Sequence, residues 1–207
     1  TQAVVDTNGN TVTFSKGLEG AGGIEKTGDG VLVLTGRNSF NGAADVKAGT
    51  LQIGALAADA GTLEASVSVD SGALVRFARS GSVTYAGNIS GEGTFEQAGT
   101  GELSLSGNST GYSGVFGLSA GTTLLSSANA FASGTIQFKG GTLKYGVSGI
   151  TDFSSRFAEL TATALVDTGT FDVGYGSVLK GTAGLTKYGA GMLTLSEKNT
   201  YAGPTTV

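Results

Sequence analysis

Asp29, Glu92, Glu96 and Glu102 are the side chains of this sequence best suited to acid–base work. Glycan-cleaving sites need grouped carboxylates, often with Lys or Arg beside them. Ser and Thr are abundant, but there is no His and no Cys. That excludes a histidine-based triad, a disulfide, and imidazole or thiolate metal sites. No G-x-S-x-G nucleophile elbow occurs. The stretch from Asp6 to Thr11 starts like a calcium loop, with Asp6, Asn8 and Asn10 in place. Thr11 then stands where the loop needs glycine, and Gly17 where it needs a closing glutamate, so an Asn-Gly turn is the better reading. Gly28-Asp29-Gly30 precedes a strand pattern and not a helix, which suits a corner and not a phosphate cradle. Asn88 and Asn108 head Asn-x-Ser/Thr sequons, which are read as incidental, although a surface Asn or Ser is able to carry sugar. The residues predict no enzyme, no metal and no cofactor.

The elements that carry these residues follow from composition and repetition. The chain has 207 residues, 37 glycines and one proline, with 39% apolar and only 14% charged residues. Apolar content suffices for a core, so disorder is not expected, and no Gly-X-Y period signals collagen. Glycine with β-branched residues suits many short strands and turns. The net charge is −4 with no Lys/Arg cluster, so nucleic acid is not an expected partner. No stretch is apolar for the length of a membrane-spanning helix.

Three segments repeat: Gly20–Gly42, Gly91–Gly114 and Gly181–Gly203. Each has a G-x-G pair, an L-x-L pair, a small polar residue, an Asn and an aromatic before a closing glycine. The glycine pairs are Gly28/Gly30, Gly99/Gly101 and Gly189/Gly191, read as corners. The leucine pairs are Leu32/Leu34, Leu103/Leu105 and Leu193/Leu195, read as core. Position 31 becomes Glu102 and Met192, and position 33 becomes Ser104 and Thr194. These sites accept polar residues, so Val31 and Val33 are expected to face outward on a period-two strand. The first and third copies match without a gap from Val5/Val166 to Val46/Val207, through Val12/Val173, Leu18/Leu179, Lys26/Lys187 and Asn38/Asn199. The repeat units lie near residues 5–54, 91–125 and 166–207. The third copy stops where the first continues, so the chain is expected to be one fragment, 1–207, truncated at both ends.

Turn-plus-strand units begin near Ala48, Ser71, Ala120 and Gly140. Their spacing suits one coil of a β-solenoid, in which neighbouring coils exchange backbone hydrogen bonds and stack leucine on leucine. The expected architecture is all-β, about nine coils along one axis, a rod of roughly 40 Å, with the three leucine-bearing copies one above another. Ile150–Leu160 breaks the pattern, with Phe153, Phe157 and Leu160 at helical spacing. A short turn capped by Thr151 or Asp152 competes there with a further strand and corner, which is preferred because the piece is short.

The pattern G-x-G-x-L-x-L-[ST]-G-x-N-[ST]-[FY]-x-G, followed by V-x-A-G-T-L, resembles the autotransporter-associated β-strand repeat of type V passenger domains. Gly28–Leu51 fits it nearly throughout. Gly184–Gly203 fits with Glu197 in place of glycine, and the second copy carries the intrusive pair Thr110-Gly111. The resemblance implies a right-handed single-stranded parallel β-helix and export through periplasm and outer membrane. It also implies a C-terminal barrel in the full-length protein and display on the bacterial surface. Partners would be host surface molecules or the protein itself. The function expected is a stalk with an adhesive surface. The alternatives are a passive, export-promoting spacer of a toxin, protease or serum-resistance passenger, and, third, a carbohydrate-active β-helix.

Overall fold

A computed structural model describes Thr1–Val207 apart from Ala57, Ala132 and Thr151. The chain coils as a β-solenoid, every pairing between its strands being parallel. Partner residues lie from nineteen apart, as in Val31 and Thr50, to twenty-five, as in Arg37 and Thr62. About ten turns result, close to the nine expected.

Each turn visits three faces. The first carries Gln2–Asp6, Gly23–Thr27, Ala44–Val46, Val67–Val69 and Ile89–Gly91. The second begins with Thr11–Phe14, Val31–Leu34 and Thr50–Ile53 and runs up to Thr135–Phe138, seven strands in all. The third starts with the pair Arg37–Asn38 and Thr62–Leu63. It continues in seven strands from Val83–Tyr85 through Glu102–Leu105 to Leu185–Tyr188 and Thr205–Thr206. Val173–Tyr175 and Leu193–Leu195 pair separately and resume the first face near the end of the chain.

Because the register between coils is fixed, each inward position becomes a row. On the second face one row reads Val12, Leu32, Leu51, Val75, Phe95, Phe116, Ile136, and the next Phe14, Leu34, Ile53, Phe77, Gln97, Leu118, Phe138. Aromatic rings continue this packing around the interior. Phe95 meets Phe116 at 5.1 Å, Phe116 meets Phe131 at 4.2 Å, and Phe131 meets Phe153 at 5.8 Å between centroids. A fully buried Leu or Phe contributes about 1.5–3 kcal/mol relative to exposure. No single coil encloses a core; each row is completed only by the coils above and below.

The three copies do not sit one above another, which corrects the stacking expected from their alignment. From Leu32 the second-face row climbs three turns, through Leu51 and Val75 to Phe95, and the chain then crosses to Leu103 on the third face. From Leu103 it climbs four turns, through Thr123, Leu143 and Val166 to Lys187, and then crosses to Leu193 on the resumed first face. Each copy is advanced by one face. They share an axis but belong to three different sheets, because whole turns of about twenty residues do not divide the intervals between copies.

The leucines of the first two pairs, Leu32, Leu34, Leu103 and Leu105, are buried; Leu193 and Leu195 are partly buried against the same cluster. Val31 and Val33 point outward, as the alternation predicts. Val33 is nevertheless 9% exposed, since Thr13 and Gln52 flank it on the outer row, and it stays outside the core cluster. Gly28 and Gly189 have φ of 72° and 83°, the left-handed corner conformation. Gly30 has no such φ; its role is close approach, because a Cβ there would overlap the Asn10 carbonyl. Gly99, Gly101 and Gly191 are packed in the same way against Arg79, Gly81 and Phe171 backbone. Only one glycine of the pair in copies one and three is therefore a φ requirement.

Ile150–Leu160 combines both readings. Ser154–Arg156 forms a 3-10 turn, and Phe157 and Leu160 then bridge to Ile136 and Gly181 as coil positions. Phe153 occupies the cap without a side-chain cap bond, while Asp152 Oδ1 accepts the Ser154 N–H at 2.7 Å. Thr151, the other proposed cap, lies outside the described residues.

Leu34→Ala should cost about 2–5 kcal/mol through the cavity it leaves, whereas Val33→Thr, at a covered position outside the core cluster, should cost less. Thermal melts of the two variants read the difference; equal losses would reverse the inside–outside assignment.

Candidate functional site

The four candidate carboxylates are scattered. Asp29 and Glu92 are exposed at two different corners. Glu96 stands on the second face and Glu102 on the third. No group of three carboxylate, His or Cys side chains suited to a metal occurs among the described residues. Asp6 Oδ1 accepts the Asn8 N–H at 2.8 Å, and Asn10 Nδ2 donates to the Asn8 carbonyl at 3.1 Å. The calcium-like stretch is thus a turn held by its own side chains, with Asn8 at φ 42° and Gly9 at φ 78°. Both sequon asparagines are exposed, and the Asn108 N–H donates to Asn88 Oδ1 at 2.8 Å.

Glu96 is part of an ion ladder running along the outer second face. Arg76 Nε donates to it at 2.7 Å from the coil before, Ser119 Oγ donates at 2.6 Å from the coil after, and Lys139 approaches to 3.9 Å. Burial alone would raise its pKa; the bonds from Ser119 and Arg76 and the charges of Arg76 and Lys139 outweigh that and hold it below the ordinary 4.5. Glu102 reaches across two coils to Lys144 at 3.3 Å. Both carboxylates serve as staples between coils.

Two polar residues of the repeat point inward, and alternation alone does not predict them. Lys26 shares a row with Val5, Val46 and Val69 and is fully buried. Its Nζ donates to the carbonyls of Thr27, Gly28 and Ala48 at 2.9, 2.6 and 3.0 Å. Lys187 repeats this with the Gly189 carbonyl at 2.8 Å. Asn38, also buried, accepts the Leu18 N–H and donates to the Gly36 and Thr62 carbonyls, spanning three coils. Asn199 accepts the Leu179 N–H at 2.7 Å in the same way. In the second copy Ser109 replaces the asparagine, its Oγ accepting the Ile89 N–H at 3.1 Å. The signal was the ungapped pairing of Lys26 with Lys187 and Asn38 with Asn199.

What remains for recognition is the outer surface. The second face presents a row of Thr11, Val31, Thr50, Leu74, Thr94, Val115 and Thr135, alternately hydroxylated and apolar, with no charge. The third face presents Glu102, Thr122, Thr142, Leu165, Thr186 and Thr206. Such a flat ladder offers hydrogen bonds and apolar contact.

The passenger-associated-transport-repeat family profile matches residues 24–53 and 185–207, which lie in the first and third copies. Those two stretches carry the autotransporter passenger repeat. The second copy, with its extra residue, falls outside both matches. The chain is also similar to the adhesin BmaC autotransporter of Brucella suis biovar 1 (strain 1330), 35% identical over 150 residues, which is 64% of this chain and 4% of that relative. No solved structure matches. The passenger repeat and this similarity indicate export to the bacterial cell surface.

Lowering the pH should remove the contribution of Glu96. Its pKa is depressed in the folded state, so the stability it adds is present above the unfolded value near 4.5 and is lost as pH falls through the folded value. Melting temperatures between pH 6 and 2.5 should fall less steeply for Glu96→Gln than for the parent chain. Lys26→Ala should cost about 2–4 kcal/mol by leaving three corner carbonyls unpaired, measured by denaturant unfolding.

Proposed function

We propose that this segment is both stalk and adhesive surface of an exported passenger, touching other cells through its flat outer faces. The carrying observation is the uncharged Thr/Val/Leu row on the second face, which continues over seven strands in unbroken register. Parallel rows of β-branched side chains at the coil spacing can meet a flat partner with many weak contacts. Their sum grows with rod length. A relative named as an adhesin supports the reading, as does the separation of the carboxylates that an enzyme would need to group. The chain spans about 4% of that relative's length, so the adhesive assignment concerns this segment's surface alone. A C-terminal outer-membrane barrel in the full-length protein fits the same reading.

The test is the triple variant Thr50→Lys, Thr94→Lys, Val115→Lys in the full passenger displayed on bacteria. Clumping or host-cell binding should fall several-fold while surface display, read with an antibody, is unchanged. Undiminished adhesion would make the segment a spacer.

A further inference from the structure

The first face is interrupted. Its regular strands stop at Ile89–Gly91 and resume at Val173–Tyr175. In between, Tyr112 makes a lone bridge to Gly91, and Ser154–Arg156 turns as a 3-10 helix. Over this gap lies a groove of about 350 Å³. Its floor includes the buried rings of Phe131 and Phe153. Thr110, Asn129, Ser133 and Ser155, all exposed, supply hydroxyls and an amide from three successive coils.

Arg156 stands in this groove. Its guanidinium lies 4.2 Å over the Phe153 ring, and Nη1 donates to the Phe131 carbonyl at 3.2 Å. Those two contacts fix the planar group while using one of its five N–H donors. Arg37, Arg76 and Arg79 each pair with a carboxylate; Arg156 has no ion-pair partner among the described residues. Asp152, also on the rim, has its oxygens turned to the Ser154 and Gly176 N–H groups at 2.7 Å each. A held guanidinium with donors to spare recognises a carboxylate through two parallel bonds. Groups of hydroxyl and amide side chains above an apolar floor suit a polyol, and the volume lies at the lower end of small-ligand sites.

We propose that this groove binds a carboxylate-bearing sugar residue, Arg156 taking the carboxylate and Ser133, Ser155 and Asn129 the ring hydroxyls. The site is separate from the flat second face and does not depend on its adhesive role.

Titration calorimetry or ligand-observed NMR on the whole chain tests it, with galacturonate and galactose as probes that differ only at the carboxylate. Galacturonate should bind at least tenfold more tightly. Arg156→Gln should remove that preference, and Thr110→Trp, which puts an indole into the groove two coils from Arg156, should weaken galacturonate at least tenfold at an unchanged melting temperature. If Arg156→Gln does not fold, Thr110→Trp decides alone. Equal binding of the two sugars, no binding of either, indifference to Thr110→Trp, or tighter binding of an acetylated dipeptide than of galacturonate would each overturn the proposal. The triple lysine variant of the second face should leave galacturonate binding intact, so failure of one idea is distinguishable from failure of the other.

Discussion

Everything in this molecule depends on the parallel backbone ladder between successive coils. The ladder ties residue i to a residue about twenty further on, and with that single constraint each side chain inherits its neighbours. Apolar positions become rows, glycines become corners that have to stack under other corners, and an outward threonine becomes one member of a continuous strip. The ladder also explains why charges act between coils. Glu96 lies between Arg76 and Ser119 because register brings the three together, though Arg76 precedes it by 20 residues and Ser119 follows it by 23.

The same constraint makes buried polar groups tolerable. A coil corner turns three carbonyls toward the interior at Thr27, Gly28 and Ala48, where no strand can satisfy them, and the Lys26 ammonium fills that need. Leaving such acceptors unpaired in a dry interior costs free energy, and the buried ammonium offsets its own desolvation by bonding all three. Asn38 does the equivalent work at the next corner for an N–H and two carbonyls. The polar residues of the repeat thus belong to the architecture as firmly as its leucines.

Much of this was legible in residues alone. Comparing Val31-Leu32-Val33-Leu34 with Glu102-Leu103-Ser104-Leu105 was enough to orient the strand, because alternation is a local property. The placement of the copies on different faces was not legible, since it depends on how many residues each intervening coil consumes, and coils here vary from nineteen to twenty-five. The inward turn of Lys26 was hidden by the rule that charge faces water. The groove at Arg156 was visible only as a disturbance at Asp152–Phe157; its walls come from Thr110, Asn129 and Ser133, which nothing in the sequence connects to that turn.

The rotation of the copies has a mechanical consequence. Leu32 and Leu103 are equivalent positions on adjacent faces, so a genetic exchange between their copies would excise a whole number of turns plus one face. The joint would fall within a strand whose sequence is already at home in either setting, and the shaft would shorten while everything beyond it swivelled to a new compass bearing. Length and heading of whatever the shaft carries are thereby coupled, and neither can be altered by such an exchange without the other.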